Sequence, residues 1–462
     1  MARERNERLA AVVAETNWSQ TQLAGRIVRV AEENGANTLR HIGRSHVSMW
    51  ILGTRPTGQA PAILCETLSR KLQRTITLRE IGLLPGIEDE LAAPQWSADP
   101  LATLIDLGNR ELDMERRHLL ATSAYSVVGL SLPSTSWWND APSRGASRAS
   151  GSGRTVGAGD VESIREMTTL FSRRDQRRGG GAGRAALVAY LRTEAVGHLG
   201  GRFTNERVRR EAFSAVAELT YLNGWMAFDA SEQGVAQHYL SLAVSLAAEA
   251  DDAPLAGHIL RAMAHQAGDL GHRDQALNLA TASVEGARFT RASPRERALL
   301  GVVHARTLAA TGNRNGATAA LLRAENDLRS ATSTDEEPSR VFFFSEASLA
   351  HETACALRDL GDLAGAQREF RRSVRTRQAE AFSRTHAVTL GYLGAVQAQQ
   401  GNIERACEAW GRALDAMDGV QSGRARDTVI QMRRLLSPFR GRGSDIVAQL
   451  DDRARQALGR VA

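Results

Sequence analysis

The chain has 462 residues, 42% of them hydrophobic and 24% charged, and its 58 Lys and Arg against 52 Asp and Glu leave a formal charge of +6. This composition is ordinary for globular protein and excludes wholesale disorder, while the length predicts about three domains. Aromatic residues make up only 5%, and Ala, Leu, Glu and Arg abound, which predicts an all-α protein.

Residues 1–88 read as a compact helical block. Leu9, Val12 and Val13 give a first apolar stripe, broken by Thr16-Asn17-Trp18-Ser19. Ser19 is placed to N-cap a second helix bearing Leu23, Ile27 and Val30. Ser45 to Leu52 follows as a short helix closed by Gly53 and Pro56, then Ala60 to Leu72 and a short helix over Thr77 to Ile81. Residues 89–133 predict one or two connecting helices. Residues 134–159 are rich in Ser, Gly, Arg and Ala, a composition that predicts a flexible linker with Trp137-Trp138 free to dock on a neighbour.

From residue 160 to 462 helix follows helix in a repeat. Ala236, Ala276, Ala317, Ala366 and Ala406 open similar helices, followed four residues on by Leu240, Ala280, Leu321, Phe370 and Trp410, and seven on by Ala243, Ser283, Ala324, Ser373 and Ala413. Gly271, Gly312, Gly361 and Gly401 precede the last four copies by five residues, and the copies are 40, 41, 49 and 40 residues apart. Small residues permit close helix approach and the Gly ends the first helix of each pair. The pattern resembles the tetratricopeptide repeat, with a longer period than the usual ~34 residues.

In the first block, Trp18-Ser19-Gln20-Thr21-Gln22-Leu23-Ala24 and Ser45-His46-Val47-Ser48-Met49-Trp50-Ile51-Leu52-Gly53-Thr54-Arg55-Pro56 resemble the Cro/repressor (XRE-type) helix-turn-helix. Leu23, Ala24, Val47 and Trp50 would pack the two helices. Arg44, Ser45, His46, Ser48 and Met49 would then face the major groove, Ser19, Gln20 and Gln22 would meet phosphate, and Arg40 and Arg55 flank the reading helix. Residues 1–88 hold twelve Arg or Lys against eight Asp or Glu, a net of +4 that supports this assignment. About a dozen extra residues separate Ala24 from Val47, and they either lengthen the first helix or form a loop.

Counting back from the aligned Ala residues gives the groove-facing positions of the solenoid. They are Glu218, Tyr221, Trp225 and Phe228, then His258, Arg261 and His265, then Arg306, and then His351 and Arg358, with small apolar residues in the last copy. Such a groove suits an extended ligand with an apolar end and an anionic group.

An XRE-type helix-turn-helix joined to a tetratricopeptide-like solenoid is similar to the peptide-pheromone receptor regulators of Gram-positive bacteria. It resembles still more the large actinobacterial (Streptomyces-type) regulators of differentiation and antibiotic production, in which Asp175-Gln176-Arg177-Arg178-Gly179-Gly180-Gly181 and Leu222-Asn223-Gly224-Trp225-Met226-Ala227-Phe228-Asp229 have familiar counterparts. The resemblance implies a transcriptional regulator acting as a homodimer on palindromic double-stranded DNA, with a signal bound by the solenoid. The groove positions hold no Asn of the kind that clamps a peptide backbone, so a small acidic molecule stands beside a peptide as the expected signal. The competing expectation is a protein-interaction scaffold whose N-terminal domain docks or tethers without sequence choice.

Other chemistry finds little support. Cys65, Cys355 and Cys407 form no CxxC or Cys/His cluster, so neither a disulfide nor a metal site is expected. Gly179-Gly180-Gly181-Ala182-Gly183-Arg184 lacks the Lys-Ser/Thr of a P-loop, and no HExxH or GxSxG occurs, so no enzyme and no cofactor is expected. Glu115 to Pro133 imitates a twin-arginine export signal but follows more than a hundred residues that read as folded protein. A helix with an apolar face is the expectation there, and a cytoplasmic location without membrane contact for the whole chain.

Overall fold

The computed structural model describes residues 5–34, 36–74, 76–83, 96–112, 124–127, 130–147, 154–332, 336–439 and 445–460. It is all-α: a helical N-terminal domain containing the helix-turn-helix pair, followed by a solenoid of consecutive antiparallel helix pairs. The imitation export signal lies mostly outside the described residues.

In the N-terminal domain α1 (Glu7–Glu15), α2 (Gln20–Glu33), α3 (Arg44–Ile51) and α4 (Ala60–Leu72) enclose Leu9, Leu23, Ile27, Val47, Trp50, Ile63 and Leu68. Ser19 caps α2 reciprocally: its Oγ accepts from the Gln22 amide (3.2 Å) and its own amide donates to Gln22 Oε1 (2.9 Å). The extra residues between the motif helices do both things open to them. They extend α2 to Glu33 and add a 3-10 turn over Asn37–Leu39. Thr77 to Ile81 is a hydrogen-bonded turn rather than a helix, with Thr77 Oγ1 accepting from the Glu80 amide.

Next come α5 (Pro100–Leu112) and α6 (Thr135–Ala146). The second of these corrects the expected linker. Ser134 accepts from the Trp137 amide and starts a helix in the Ser/Gly-rich stretch. Tertiary contacts hold it: Trp137 Nε1 donates to the Trp96 carbonyl (2.7 Å), and the Trp138 ring lies under the Arg288 guanidinium (4.8 Å). Composition predicts chain entropy but not such anchors.

The solenoid opens with β1 (Thr155–Val156), which pairs in parallel with β2 (Arg202–Phe203). Between them lie α7 (Ala158–Arg178) and α8 (Arg184–Tyr190), which runs through a π turn into α9 (Val196–Leu199). The pairs follow: α10 (Glu206–Asp229) with α11 (Gln233–Glu249), and α12 (Ala253–Asp269) with α13 (Arg273–Ser283), then the short α14 (Ala287–Thr290). After it come α15 (Pro294–Ala310) with α16 (Arg314–Ser330), α17 (Glu346–Asp359) with α18 (Leu363–Thr376), α19 (Ser383–Gln399) with α20 (Ile403–Ala416), and finally α21 (Gly423–Leu436) with α22 (Asp445–Arg460).

The repeat read from the sequence is the packing code. All five aligned Ala residues are buried to 1% exposure or less. The four turn glycines share a left-handed φ of 82 to 86°, a conformation that side chains resist. In two turns the next residue restarts the chain as a cap, with Asn313 accepting from the Gly316 amide and Asp362 from the Gly365 amide. The one long spacing of 49 is the segment 331–345, which carries a 3-10 turn at Ser339–Val341.

Two contacts give the molecule its shape. Ala124–Val127 is a strap between the N-terminal domain and the solenoid. The Tyr125 amide donates to Asn34 Oδ1 (2.8 Å) and the Val127 amide to Glu66 Oε1 (3.0 Å), while the Ser126 amide donates to Gln237 Oε1 (2.7 Å). The buried Tyr125 ring stacks on His272, which faces Glu33 at 3.3 Å. The second contact joins the two ends of the solenoid. Arg384 on α19 pairs with Asp229 on α10 (2.7 Å) and Asp175 on α7 (3.0 Å), and the Gln421 amide donates to the Arg178 carbonyl (2.6 Å).

Candidate functional site

The structure presents two candidate sites. On α3, Arg44, Ser45 and Met49 are exposed, while His46 and Ser48 are half-buried; Val47, Trp50 and Ile51 point into the core. His46 Nδ1 accepts from the Gly43 amide (3.2 Å), so this side chain also caps its own helix. Ser19 and Gln22 are likewise engaged in the α2 cap, and Gln20 is half-buried beside them.

Charge pairing in this domain is selective. Arg70 takes Glu33 and Glu66, and Arg74 takes Glu15 and Glu80. Arg40, Arg44 and Arg55 are all exposed, and none has an acidic partner among the described residues. Arg44 stands at the first position of α3, where the free amides already favour an anion. These three arginines stand on α3 or in the segments that enter and leave it, and Arg26 and Arg29 on α2 are likewise exposed with no acidic partner among the described residues.

The second site is a chamber inside the solenoid, where α7, α10, α12, α15, α17, α19 and α21 converge. Its free volume is about 90 Å³, and its walls carry Asp175, Glu218, Tyr221, Trp225, Asp229, Arg261, His265, Arg340, His351, Glu352, Arg377, Arg384 and Arg424. Six of the ten residues expected to line the groove are in this lining: Glu218, Tyr221, Trp225, Arg261, His265 and His351. The other four lie elsewhere. Phe228 is core, beneath Arg424. His258 is fully buried against Glu296 (3.2 Å). Arg306 and Arg358 line a neighbouring cleft with Asp269 and Tyr392.

Most cations of the chamber and the neighbouring cleft are matched by carboxylates. Arg340 grips Glu296 with two bonds (2.7 and 3.0 Å), Arg424 reaches Asp269 (3.2 Å), and Arg306 bridges Asp269 (2.9 Å) and Glu352 (3.2 Å). Burial pushes Glu296 and Glu352 up, but the cations around them outweigh it and hold both at about 2. Burial drives His258 and His351 down to about 3, so both are neutral. His258 Nε2 accordingly accepts from Arg261 (3.0 Å), and His351 Nδ1 donates to Thr389 Oγ1 (2.9 Å), whose own proton goes to the Thr385 carbonyl. Asp175, fully buried beside Asp229, is pushed up to about 6 despite Arg384.

Arg261 and Arg377 are the exceptions. Among the described residues, Arg261 donates only to Tyr221 Oη and His258 Nε2, and Arg377 only to the Ala347 carbonyl (3.0 Å) and Ser373 Oγ (3.1 Å). Each has an Nε with no partner, at 3% and 8% exposure. Burial without a matching acid lowers Arg377 to about 10.

The sequence pattern did not reach Asp175, Arg340, Glu352, Arg377, Arg384 or Arg424. Asp175 sits on α7, ahead of the repeats, and Arg424 on α21, after the last aligned Ala, so neither falls in the counted register. The glycine cluster after α7 has a packing role. Gly180 N donates to Asp229 Oδ2 (2.8 Å) and Gly181 N to the Gln421 carbonyl (3.0 Å). A Cβ on Gly179 would collide with the Gln421 carbonyl and one on Gly180 with the Met226 carbonyl. Among the described residues, no group of three His, Cys, Asp or Glu could hold a metal ion, and no helix is long and apolar enough to cross a membrane.

Residues 9–84 match the family model of the SP15 N-terminal domain, so the α1–α4 unit is similar to that domain. No curated protein matches the chain.

Proposed function

We propose that this chain is a sequence-specific DNA-binding regulator of transcription, with the N-terminal domain as reader and the solenoid as sensor of a signal. The observation that carries the reading is the set of exposed arginines on α3 and on the segments that enter and leave it. Four acids of the domain pair with Arg70 and Arg74, while Arg40, Arg44 and Arg55 stay exposed with no acidic partner among the described residues, on or next to a helix of the helix-turn-helix. Such cations offer phosphate contacts, and Arg44, Ser45, Ser48 and Met49 offer base contacts.

Two copies would read a palindromic operator, since paired half-sites multiply affinity and fix spacing. The strap bears on how a signal reaches DNA, because Tyr125 touches Asn34 at the end of α2 and His272 in the solenoid. A ligand favouring one arrangement of the solenoid would then bias the reader. This organisation agrees with the resemblance to actinobacterial regulators.

Selection of genomic DNA fragments by the full chain at two salt concentrations tests the reading. A recurrent palindrome that survives the higher salt is the expected result. Arg44→Ala and Ser48→Ala should each weaken that site by ~1–3 kcal/mol if they touch bases. An unchanged footprint in both removes α3 as the reader. The scaffold reading is favoured by the apolar exposure of Met49 (44%) and Leu52 (57%). It predicts binding without sequence preference that vanishes with salt.

A further inference from the structure

The solenoid chamber differs from an open concave groove in three ways that bear on what it holds. It is spanned by the Arg384 bridge to Asp175 and Asp229 and by the hydrogen bond that Ser422 Oγ donates to Asp229 Oδ1 (3.0 Å). Its free volume, about 90 Å³, is room for roughly six water-sized spheres, which is too little for an extended peptide. Its polar surface is not self-satisfied, because Arg261 and Arg377 are buried guanidiniums without a carboxylate partner among the described residues.

A buried guanidinium is costly unless an anion offsets the lost hydration. The buried Arg384 and the half-buried Arg306, Arg340 and Arg424 of this region meet that requirement with protein acids. The planar fork of Arg fits an oxyanion with two donors at once. Trp225 supplies a flat apolar wall under this cluster, with the Arg261, Arg384 and Arg424 guanidiniums 5.6, 5.8 and 5.9 Å from its ring centre. Leu222, Leu299, Val303 and Phe343 supply the rest of the apolar lining. Glu218 also faces the chamber, with no ion pair among the described residues, and burial pushes its carboxyl up.

We propose that the chamber binds a compact organic oxyanion, a small carboxylate or phosphate, through Arg261 and Arg377. This rests on the sensor reading of the solenoid and narrows its signal to a small acidic molecule rather than a peptide. Because the binding is measured without DNA, its failure leaves the reading of α3 standing, and loss of operator binding leaves the chamber standing.

The experiment compares the thermal midpoint of the full chain in malonate, in inorganic phosphate and in chloride at equal ionic strength. Arg377→Gln, Arg261→Gln and the surface control Arg29→Gln are followed alongside. The expected result is a concentration-dependent rise with malonate or phosphate in the wild type and in the control. The apparent affinity should fall about tenfold or more in either chamber variant, as loss of a charged hydrogen bond predicts. The larger of the two responses assigns carboxylate or phosphate. Arg377→Lys, which keeps the charge and loses the fork, should fall between and serves if a glutamine variant does not fold. Equal rises in all variants would mean only the general stabilisation that excluded anions give, and would overturn the proposal. No rise with either probe would overturn it as well.

Discussion

The N-terminal domain and the solenoid use arginine in opposite ways. Around α3 the core is apolar, the acids are neutralised by Arg70 and Arg74, and the spare guanidiniums stand in water. Around the chamber, Arg261, Arg306, Arg340, Arg377, Arg384 and Arg424 are buried or half-buried; Arg340 and Arg384 are matched to buried acids, Arg306 and Arg424 to the more accessible Asp269, and two have no acid among the described residues. Exposed spare cations address an extended polyanion through a screened, salt-sensitive field. Buried ones address a ligand small enough to enter. The overall charge of +6 conceals this division.

The sharpest way to break the comparison is to remove one arginine from each region. Arg384→Ala leaves Asp175 and Asp229 buried without their cation and should cost ~3–5 kcal/mol in denaturant unfolding. Arg74→Ala removes two exposed pairs and should cost under about 1 kcal/mol. Equal losses would mean that the buried bridge is no more than a surface pair in disguise.

A second contrast uses glycine. Gly180→Ala should lose ~1–3 kcal/mol because its Cβ must displace the Met226 backbone. Gly25→Ala, on the exposed side of α2 with open space around it, should be neutral or gain up to about 1 kcal/mol. A tolerated Gly180→Ala would show that the ends of the solenoid are not closely joined in solution.

The smallest effect expected is on pH dependence. His258 and His351 sit at about 3 in the folded chain against ~6.5 when exposed, so the unfolded chain binds more protons between those values. Their share of stability is complete above ~6.5 and is lost as pH falls. Glu296 and Glu352, held at about 2, add a loss that begins as pH falls through the ordinary carboxylate range and is complete below about 2. Asp175, pushed up to about 6, works the other way and is outnumbered. The unfolding midpoint of His351→Gln should therefore depend less steeply on pH between ~4 and ~6.5 than that of the wild type. An unaltered slope would remove His351 from this account.

The sequence revealed whatever obeys a local period. Ala236 to Ala406 and their four turn glycines mark the helix pairs because each pair must satisfy the same close approach. Val47 and Trp50 declared α3 for the same reason. Legibility ended where distant segments meet. Asp175, Arg384 and Arg424 occupy one chamber across more than two hundred residues, and no spacing rule connects them. Thr135–Ala146 read as linker because its stability comes from Trp96 and Arg288, neither of which is local. His258 and Phe228 were misplaced by the groove register because a helix turned into a tight superhelix buries positions that an open one exposes.

The joining of α7 and α10 to α19 and α21 changes what kind of folding unit this is. An open solenoid behaves as a one-dimensional array, in which repeats can be trimmed or duplicated with only neighbour effects. Here the first and last repeats share Asp229, Arg384 and Ser422, so the array has become a loop with a clasp. Deleting α21 and α22 would not shorten a sensor. It would strip Ser422 from Asp229 and Arg424 from the chamber wall, and open the cavity to solvent. Unfolding should accordingly be all-or-none across these helices, and the number of repeats fixed by geometry rather than free to drift.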